Sequence, residues 1–301
     1  VELCRGHCVK ALVFLQGILF PDGNIPLLND SALGASSKYR QLRDYFERLA
    51  GERVADSEPA HLIRYPFSGV FGYRRHNNML VVDAGDIGPS YQPGHTHCDM
   101  LSYELMWGGK RVVVDSGVYE YEPGEMRHYV RSTRAHNTVS IDGADQSEVW
   151  GEFRVARRAK ILSADITENG NAVDFAGAYS GFPKLRGRLE HKRTMQLRLC
   201  GGGAFESVAV TDHISGSGEH LVESFIHLHP DIEIEEGGAD SIYLSTPGGL
   251  RLVLQHSADA SYTLEKGYYC PRFGTKIPNT RIVIARREKL PLSMSYTLHR
   301  I

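Results

Sequence analysis

Three short motifs between residues 94 and 137 decide how this sequence is interpreted. They read Gly94-His95-Thr96-His97-Cys98-Asp99, Val114-Asp115-Ser116-Gly117 and Arg131-Ser132-Thr133-Arg134-Ala135-His136-Asn137. Each motif lies on or beside a run of residues that is typical of a β-strand. Because residues i and i+2 of a strand point to the same face, we expect His95 and His97 to share a face and to do different work there.

Two imidazoles and a carboxylate from these motifs form a ligand set that zinc accepts. His97, Asp115 and His136 supply two nitrogens and an oxygen, which leaves one further position on a tetrahedral ion. We therefore predict one bound divalent metal, most readily Zn²⁺, at these three residues. The alternative is that the histidines are hydrogen-bonded core residues. Cys98 should point to the opposite face of the strand and is not expected to be a ligand.

The bulk composition is that of an ordinary globular protein and argues against some classes of partner. Of the 301 residues, 42% are hydrophobic and 23% are charged. The 34 basic and 36 acidic side chains give a formal charge of −2, so no overall basic field indicates binding to nucleic acid or to a membrane surface. No apolar run reaches the ~18 residues of a membrane span. Five scattered cysteines do not suggest a disulfide framework.

The chain changes texture near Pro59, from helical to strand-like. Apolar residues recur at helical spacing over residues 3–20 and from about 37 to 50, and no further helix is predicted after Pro59. Strands are predicted at residues 79–84, 101–107, 111–115, 137–142, 172–176, 192–198, 205–212, 221–228, 250–255, 281–285 and 292–298. Gly108-Gly109 predicts a tight hairpin between two of them. So many strands indicate a mainly β protein, with large antiparallel sheets stacked as a sandwich.

The three motifs also resemble those of the heparinase II/III-like family of polysaccharide lyases. The resemblance lies in the order His-x-His-x-Asp, Val-Asp-Ser-Gly-Val-Tyr and Arg-Ser-Thr-x-Ala-His-Asn, and in two further segments, residues 20–30 and 272–276. It implies a helical (α/α) toroid followed by a β-sandwich. This chain would hold the last helices of the toroid in residues 1–58 and the sandwich in residues 59–301. Since it has no initiator Met and starts within a predicted helix, we expect the remaining toroid to precede it in the same protein.

The resemblance implies an activity and a set of site residues. The family cleaves anionic, uronate-containing polysaccharides by β-elimination, and His95 is similar to its catalytic histidine. A tyrosine near the family's cleft corresponds to Tyr121 or, as the second choice, Tyr119. The family's metal residues, commonly zinc ligands with a structural role, correspond to His97, Asp115 and His136. The family's principal catalytic tyrosine comes from the toroid, outside this sequence.

Two arginines near the third motif are candidates for binding the substrate. Arg131 and Arg134 carry planar guanidinium groups that suit a sugar carboxylate. Arg131 could instead bridge to a loop acid such as Glu122 or Glu125. Heparan-type, alginate-type and bacterial exopolysaccharide substrates all remain open, and we expect a periplasmic or secreted location.

Two other functions compete with the lyase. A cupin-type metal enzyme also begins its motif with His-x-His, but Glu104 follows His97 at a longer spacing than that motif requires. A non-catalytic polysaccharide-binding or assembly module of the same fold is the second alternative. Metal analysis, combined with an assay for unsaturated uronate products, discriminates among the three.

Overall fold

The computed structural model describes residues 2–55 and 58–301, and its helices lie mainly at the beginning of the chain. They are α1 (Glu2–Ile18), α2 (Tyr39–Ala50) and a short α3 (Glu125–Arg131). The first two confirm the predicted helices, and α2 ends at Gly51, whose left-handed backbone is typical of a helix C-terminus. None of the described helices is long and apolar enough to cross a membrane.

The prediction of no helix after Pro59 is wrong, because α3 lies beyond it. This helix has only seven residues, and its buried side chains are Arg127, Val130 and Arg131. Since two of the three are charged, the helix shows no apolar periodicity in the sequence. Its burial depends on hydrogen bonds to distant parts of the chain, which a local pattern cannot reveal.

Five consecutive strands form the first sheet. They are β1 (Leu62–Tyr65), β2 (Val70–Arg75), β3 (Asn78–Asp83), β4 (Tyr103–Trp107) and β5 (Lys110–Val113), all antiparallel and in sequence order. Gly108 and Gly109, with φ of 59° and 78°, form the predicted hairpin between β4 and β5. The sheet is covered on both faces, which explains the unbroken apolar run of β3. Met79 and Val81 pack with Phe20 near α1, whereas Leu80 and Val82 face the main core.

The remaining strands build the larger part of the sandwich. They are β6 (Val139–Ile141), β7 (Val149–Trp150), β8 (Arg154–Val155), β9 (Lys160–Asn169), β10 (Ala172–Ser180), β11 (Glu190–Cys200), β12 (Ala204–Ser215), β13 (Glu219–His227), β14 (Glu233–Glu236), β15 (Ser241–Ser245), β16 (Arg251–His256), β17 (Ser261–Tyr269), β18 (Ile277–Lys289) and β19 (Leu292–Arg300). Eight strands form one antiparallel sheet in the order β14-β15-β16-β19-β12-β11-β10-β9, and four form another in the order β17-β18-β13-β6. Strands β7 and β8 pair only with each other.

All three larger sheets contribute to a single apolar core. Side chains of the eight-stranded sheet meet those of the two smaller sheets there, and an isolated bridge joins Val113 at the end of β5 to Leu228 directly after β13. Alternate residues of β10, β11 and β12 are buried, as expected for a sheet with one covered face. The predicted antiparallel β-sandwich is therefore confirmed.

The segment that follows α1 is tied to the first sheet by charged groups. Arg111 on β5 donates two hydrogen bonds to Asp22, at 3.0 and 3.2 Å, and one to Glu104 at 2.8 Å. The amide of Leu27 donates to the other oxygen of Glu104. Residues 20–30 therefore lie along β4 and β5, and their last residues reach the motif that contains the two histidines.

Candidate active site

His95 and His97 lie in an irregular loop between β3 and β4, so the expected strand is absent at these positions. The two histidines are nevertheless brought together by one carboxylate. His97 Nε2 donates to Asp30 Oδ1 at 2.8 Å, and His95 Nδ1 donates to Asp30 Oδ2 at 3.1 Å. The His97 side chain is completely buried, whereas that of His95 is 59% exposed. His95 is therefore open to a ligand, whereas His97 is enclosed by the protein.

Asp30 is the centre of the arrangement. In addition to the two imidazoles it accepts two hydrogen bonds from Arg127 on α3, one of them at 2.9 Å. Burial raises the pKa of Asp30, but hydrogen bonds from His97 and Arg127 outweigh this effect and lower the pKa to about 2. Asp30 is therefore a carboxylate at neutral pH. The sequence did not identify Asp30 or Arg127 as site residues, although Asp30 ends one of the segments that carry the family resemblance.

His97 and His136 form a buried pair with free nitrogen atoms. Their ring centroids are 5.3 Å apart, and His97 Nδ1 and His136 Nε2 have no hydrogen-bond partner among the described residues. Each ring donates a hydrogen bond from its other nitrogen to a carboxylate. The free nitrogen therefore carries a lone pair when the imidazole is in the neutral form that binds a metal. The Asp99 carboxylate completes the group, since one potential ligand atom from each of the three residues lies within 4.8 Å of the others. These donors fit a divalent metal such as zinc.

Asp115 lies on the opposite side of His136 from this group. It accepts a hydrogen bond from His136 Nδ1 at 2.7 Å and one from the amide of Gly117 at 2.9 Å. Gly117 has a φ of +67°, and a Cβ there would lie 2.5 Å from the carbonyl oxygen of Cys270, so only glycine fits. In this arrangement Asp115 orients His136. Coordination of a metal by Asp115 stays a prediction, and Asp99 is the alternative carboxylate ligand.

Three carboxylates, those of Asp83, Asp99 and Asp115, are buried close to the two imidazoles. Burial raises the pKa of Asp83, and the neighbouring Asp99 raises it further. Burial also raises the pKa of Asp99. Burial lowers the pKa of His136, but Asp115 outweighs this and raises it to about 9. A bound divalent cation would balance this concentration of negative charge.

The structure separates the two candidate tyrosines. The ring centroid of Tyr121 lies 5.8 Å from that of His95, and Arg127 lies 5.0 Å from the same ring. Tyr119 accepts a hydrogen bond from the amide of Gly274 through its carbonyl group. Burial, and then the charge of Asp30, raise the pKa of Tyr121, so its hydroxyl keeps its proton at neutral pH. Tyr121 is therefore the tyrosine that lies beside His95.

Arg131 already donates hydrogen bonds within the protein, and its binding of a sugar carboxylate stays a prediction. It is buried, and it donates to the carbonyl groups of Thr96, Gly151 and Arg154 at 3.2, 2.7 and 3.3 Å. These carbonyl groups use three of the five N–H donors of the guanidinium group. The predicted alternative, a bridge to Glu122 or Glu125, is not formed. The geometry assigns Arg131 to holding loops together.

Arg134 lies on the surface but already has an acidic partner. Its side chain is 46% exposed and forms an ion pair with Glu265 at 3.2 Å. Its carbonyl group accepts hydrogen bonds from His227 and Arg281. Binding of a sugar carboxylate by Arg134 stays a prediction, and it would compete with the ion pair.

An open cleft begins at His95. It has a volume of about 670 Å³ and lies between α1 and the segment that leads to His95. Apolar and aromatic side chains form much of its wall, together with the polar groups of Gln92 and His95; the wall includes Phe14, Ile18, Leu28 and Tyr91. A mainly apolar cleft with a few polar groups is typical of a ligand site.

Glu104, the glutamate considered for a cupin motif, already has a basic partner. Glu104 is buried and forms its ion pair with Arg111 at 2.8 Å. Burial raises the pKa of Glu104 to about 7, against the opposing effect of Arg111. Glu104 is also absent from the potential metal group found among the described residues. The structure therefore gives the cupin alternative no glutamate ligand.

The β-sandwich and its buried cluster of histidines and carboxylates, drawn from three segments of the chain, agree with a known class of protein. Residues 57–297 match the family model described as heparinase II/III-like, C-terminal. The match covers most of the chain, and the chain belongs to this family.

Individual relatives agree with this assignment. A heparin-sulfate lyase from Bacteroides stercoris is 29% identical over 183 residues, which are 53% of this chain and 26% of that protein. A heparan sulfate lyase from Pedobacter heparinus has a similar structure, with a TM-score of 0.73, 18% identity and coverage of 94% of this chain and 45% of that one. A heparinase III structure gives a TM-score of 0.72 at 15% identity, over 100% of this chain and 48% of that one. The structural likeness shows the fold, and the chain spans less than half the length of each of these relatives.

Proposed function

We propose that the protein containing this chain is a lyase that cleaves a uronate-containing anionic polysaccharide by β-elimination. The observation that carries the proposal is the exposed His95, held by the buried Asp30 beside Tyr121 at the end of an open cleft. Since the relatives are named for heparin and heparan sulfate, a sulfated glycosaminoglycan is the first substrate to test. Alginate-type polymers and bacterial exopolysaccharides are the next substrates to test.

The chemistry requires removal of a proton from C5 of a uronic acid. The C5–H electron pair then forms the C4=C5 double bond, while the bond from C4 to the glycosidic oxygen breaks and that oxygen gains a proton. His95 donates its Nδ1 proton to Asp30, so its Nε2 lone pair is directed away from Asp30 and can face the sugar. His95 acts as the base or as a charge stabiliser, and the Tyr121 hydroxyl is the nearby group that can donate a proton.

A divalent metal, with zinc as the first candidate, has a structural role in the proposal. The residues that fit it are His97 and His136, with Asp99 or Asp115 as the carboxylate ligand. When bound, the ion supplies positive charge among buried carboxylates. His97 in turn donates to Asp30, which orients His95. The metal site thus supports the catalytic histidine through the two oxygens of one carboxylate.

The helical segment supports the proposal of a preceding toroid. Helices α1 and α2 expose large apolar side chains, including Leu3, Val13, Leu42, Tyr45 and Leu49. Several exposed large apolar side chains on two neighbouring helices are typical of a surface that packs against further helices. The toroid of the same protein would cover these residues and supply the remaining catalytic groups.

The test compares His95→Ala with His97→Ala in the full-length protein. We expect His95→Ala to lower the rate by a factor of about 10²–10⁴ while metal content and melting temperature stay near wild type. His97→Ala should reduce the rate, the metal content and the melting temperature, because it removes both a candidate ligand and a hydrogen bond to Asp30. The rate is measured by the ultraviolet absorbance of the unsaturated uronate product, and metal content by elemental analysis.

Three outcomes would contradict this proposal. Products with saturated non-reducing ends would indicate hydrolysis. Loss of metal in His95→Ala would make His95 a ligand. Binding of uronate polymers without any cleavage would favour the non-catalytic polysaccharide-binding or assembly module.

A further inference from the structure

The hairpin formed by β7 and β8 is fixed beside the site by two buried arginines. Arg131 donates to the carbonyl groups of Gly151 and Arg154, at 2.7 and 3.3 Å. Arg127, which also holds Asp30, donates through Nε to the carbonyl group of Glu152 at 3.0 Å. Helix α3 therefore places the turn of this hairpin in a defined position relative to His95.

The turn continues the aromatic surface that begins at His95. The Phe153 ring lies 5.9 Å from that of His95 and 5.5 Å from that of Tyr121. Phe273 packs on the other side of Tyr121, with ring centroids 5.0 Å apart. Phe153 and Phe273 are 44% and 43% exposed, so part of each ring faces solvent. Exposed aromatic rings next to a catalytic histidine are available to contact a sugar.

The strands of the hairpin carry an exposed tryptophan next to an arginine. Trp150 and Arg154 are paired across β7 and β8, Trp150 is 52% exposed, and the guanidinium carbon of Arg154 lies 4.9 Å from the indole ring. The contact holds the guanidinium group over the indole ring, so a cation lies against a flat apolar side chain that is partly open to solvent. A hexuronate or sulfated sugar presents the matching groups, an apolar C–H face and an anionic substituent on the same ring.

We infer that this hairpin is a saccharide-binding subsite, in which Trp150 stacks on one sugar ring and Arg154 binds the carboxylate or sulfate of that ring. The ligand is the anionic polysaccharide that reaches His95, so the inference rests on the proposed function. Phe153 lies between the subsite and the catalytic histidine and connects the two surfaces. Arg131 has a positioning role, because it holds the carbonyl group of Arg154 itself.

Tryptophan fluorescence provides a direct test. The sequence has two tryptophans, and the other, Trp107, is 1% exposed, so a change of emission on binding reports mainly Trp150. A sulfated, hexuronate-containing tetrasaccharide is titrated into the full-length protein carrying His95→Ala, which prevents turnover. We expect a saturable change of emission. Adding Trp150→Phe should abolish the change but keep the affinity within about twofold, because an aromatic ring remains.

Removal of either group should weaken binding. Trp150→Ala and Arg154→Ala should each lower the affinity, measured by calorimetry, by about tenfold. Arg198→Ala, which removes an exposed arginine from β11, is the matched control and should bind like the parent protein. In enzyme with His95 intact, Trp150→Ala should raise KM and leave kcat nearly unchanged, because the subsite is separate from the reacting atoms.

The outcomes distinguish the subsite from the proposed function. If Trp150→Ala and Arg154→Ala, each with an unchanged melting temperature, bind as tightly as the parent, the subsite is refuted even when the protein is a lyase. Failure of the parent to bind the tetrasaccharide also refutes it. If the protein cleaves no uronate polymer but both variants lose binding, the lyase proposal fails and the subsite stands. Equal binding of a neutral tetrasaccharide would refute the role of Arg154.

Discussion

Among the described residues, a cluster of histidine and aspartate is buried in the main core and another behind His95, and they differ in how their acids are paired. In the main core, Asp212 accepts two hydrogen bonds from Arg193, at 2.7 and 2.8 Å, and one each from His191 and Ser224 at 2.8 Å. Burial raises the pKa of Asp212, but the charge of Arg193 outweighs it and holds the pKa well below its usual range. One acid and one base therefore balance each other.

The cluster behind His95 has no such balance. The carboxylates of Asp83, Asp99 and Asp115 accept hydrogen bonds from backbone amides, Asn29 and His136, and among the described residues none of these bonds comes from arginine or lysine. A free ring nitrogen alone does not mark a metal site, because His191 Nδ1 in the balanced cluster also lacks a partner. The difference is the number of buried carboxyl groups without an arginine or lysine partner among the described residues, and such a group of acids is suited to bind a cation.

The largest expected effect is a loss of stability when Asp212 is removed from the balanced cluster. Asp212→Ala leaves the buried Arg193 without its counter-charge, so we expect the free energy of unfolding to fall by about 3–5 kcal/mol. Urea denaturation measures the loss, which should be the same with and without a chelator. Glu206→Ala, at an exposed acid on β12, is the control and should change stability by less than about 0.5 kcal/mol. A loss below about 1 kcal/mol for Asp212→Ala would show that the ion pair is not needed.

Metal removal tests the unbalanced cluster. At a free zinc concentration about 1,000 times Kd, the bound ion adds about 4 kcal/mol to the free energy of unfolding, and a chelator should remove this increment. His97→Ala and His136→Ala should start at lower stability and show little response to the chelator. Thermal unfolding with and without chelator measures both effects. An equal response in the wild type and in both variants would contradict a metal at these histidines.

Glu104 is a buried acid whose charge is only partly balanced. Its one basic partner, Arg111, also pairs with Asp22. Its pKa in the folded protein is about 7, against 4.5 for an unperturbed glutamate, so the fold favours the protonated form. Stability should therefore fall as the pH rises from about 4.5 to about 7, by up to about 3 kcal/mol, and then level off. Glu104→Gln should remove this part of the pH dependence. Urea midpoints at pH 5 and pH 8 measure it, and identical profiles for the variant and the wild type would refute it.

The smallest expected effect is a difference in metal affinity between two variants, which identifies the carboxylate that binds the metal. If Asp99 is the ligand and Asp115 orients His136, Asp115→Asn should weaken metal binding by about 10–100-fold and Asp99→Asn should weaken it more. The reverse order would support the ligand set predicted from the sequence. Competition with a chromogenic chelator measures both affinities. Equal affinities in the two variants and the wild type would exclude both carboxylates as ligands.

The sequence identified the elements whose signals are local. The first two helices, the Gly108-Gly109 hairpin and eleven of the nineteen described strands follow from periodicity and turn residues, because these report which face of an element is buried. The sequence did not predict the others, which include the core strands β2, β9 and β15. The order of the three motifs also sufficed to indicate the family. Proximity along the chain placed His95, His97 and Asp99 together, since only one residue lies between each and the next.

Only the tertiary structure decided how the site is assembled. Asp30 meets the two histidines because Arg111 ties residues 20–30 to the first sheet, and a contact between distant segments leaves no periodic signal. Tyr121 is distinguished from Tyr119 by the loop that carries both, although their spacing had made them equivalent. Arg131 was expected to bind a sugar carboxylate or a loop acid, and it donates instead to carbonyl groups of the hairpin formed by β7 and β8. Charged groups find partners according to how whole elements dock, so their roles depend on the complete fold.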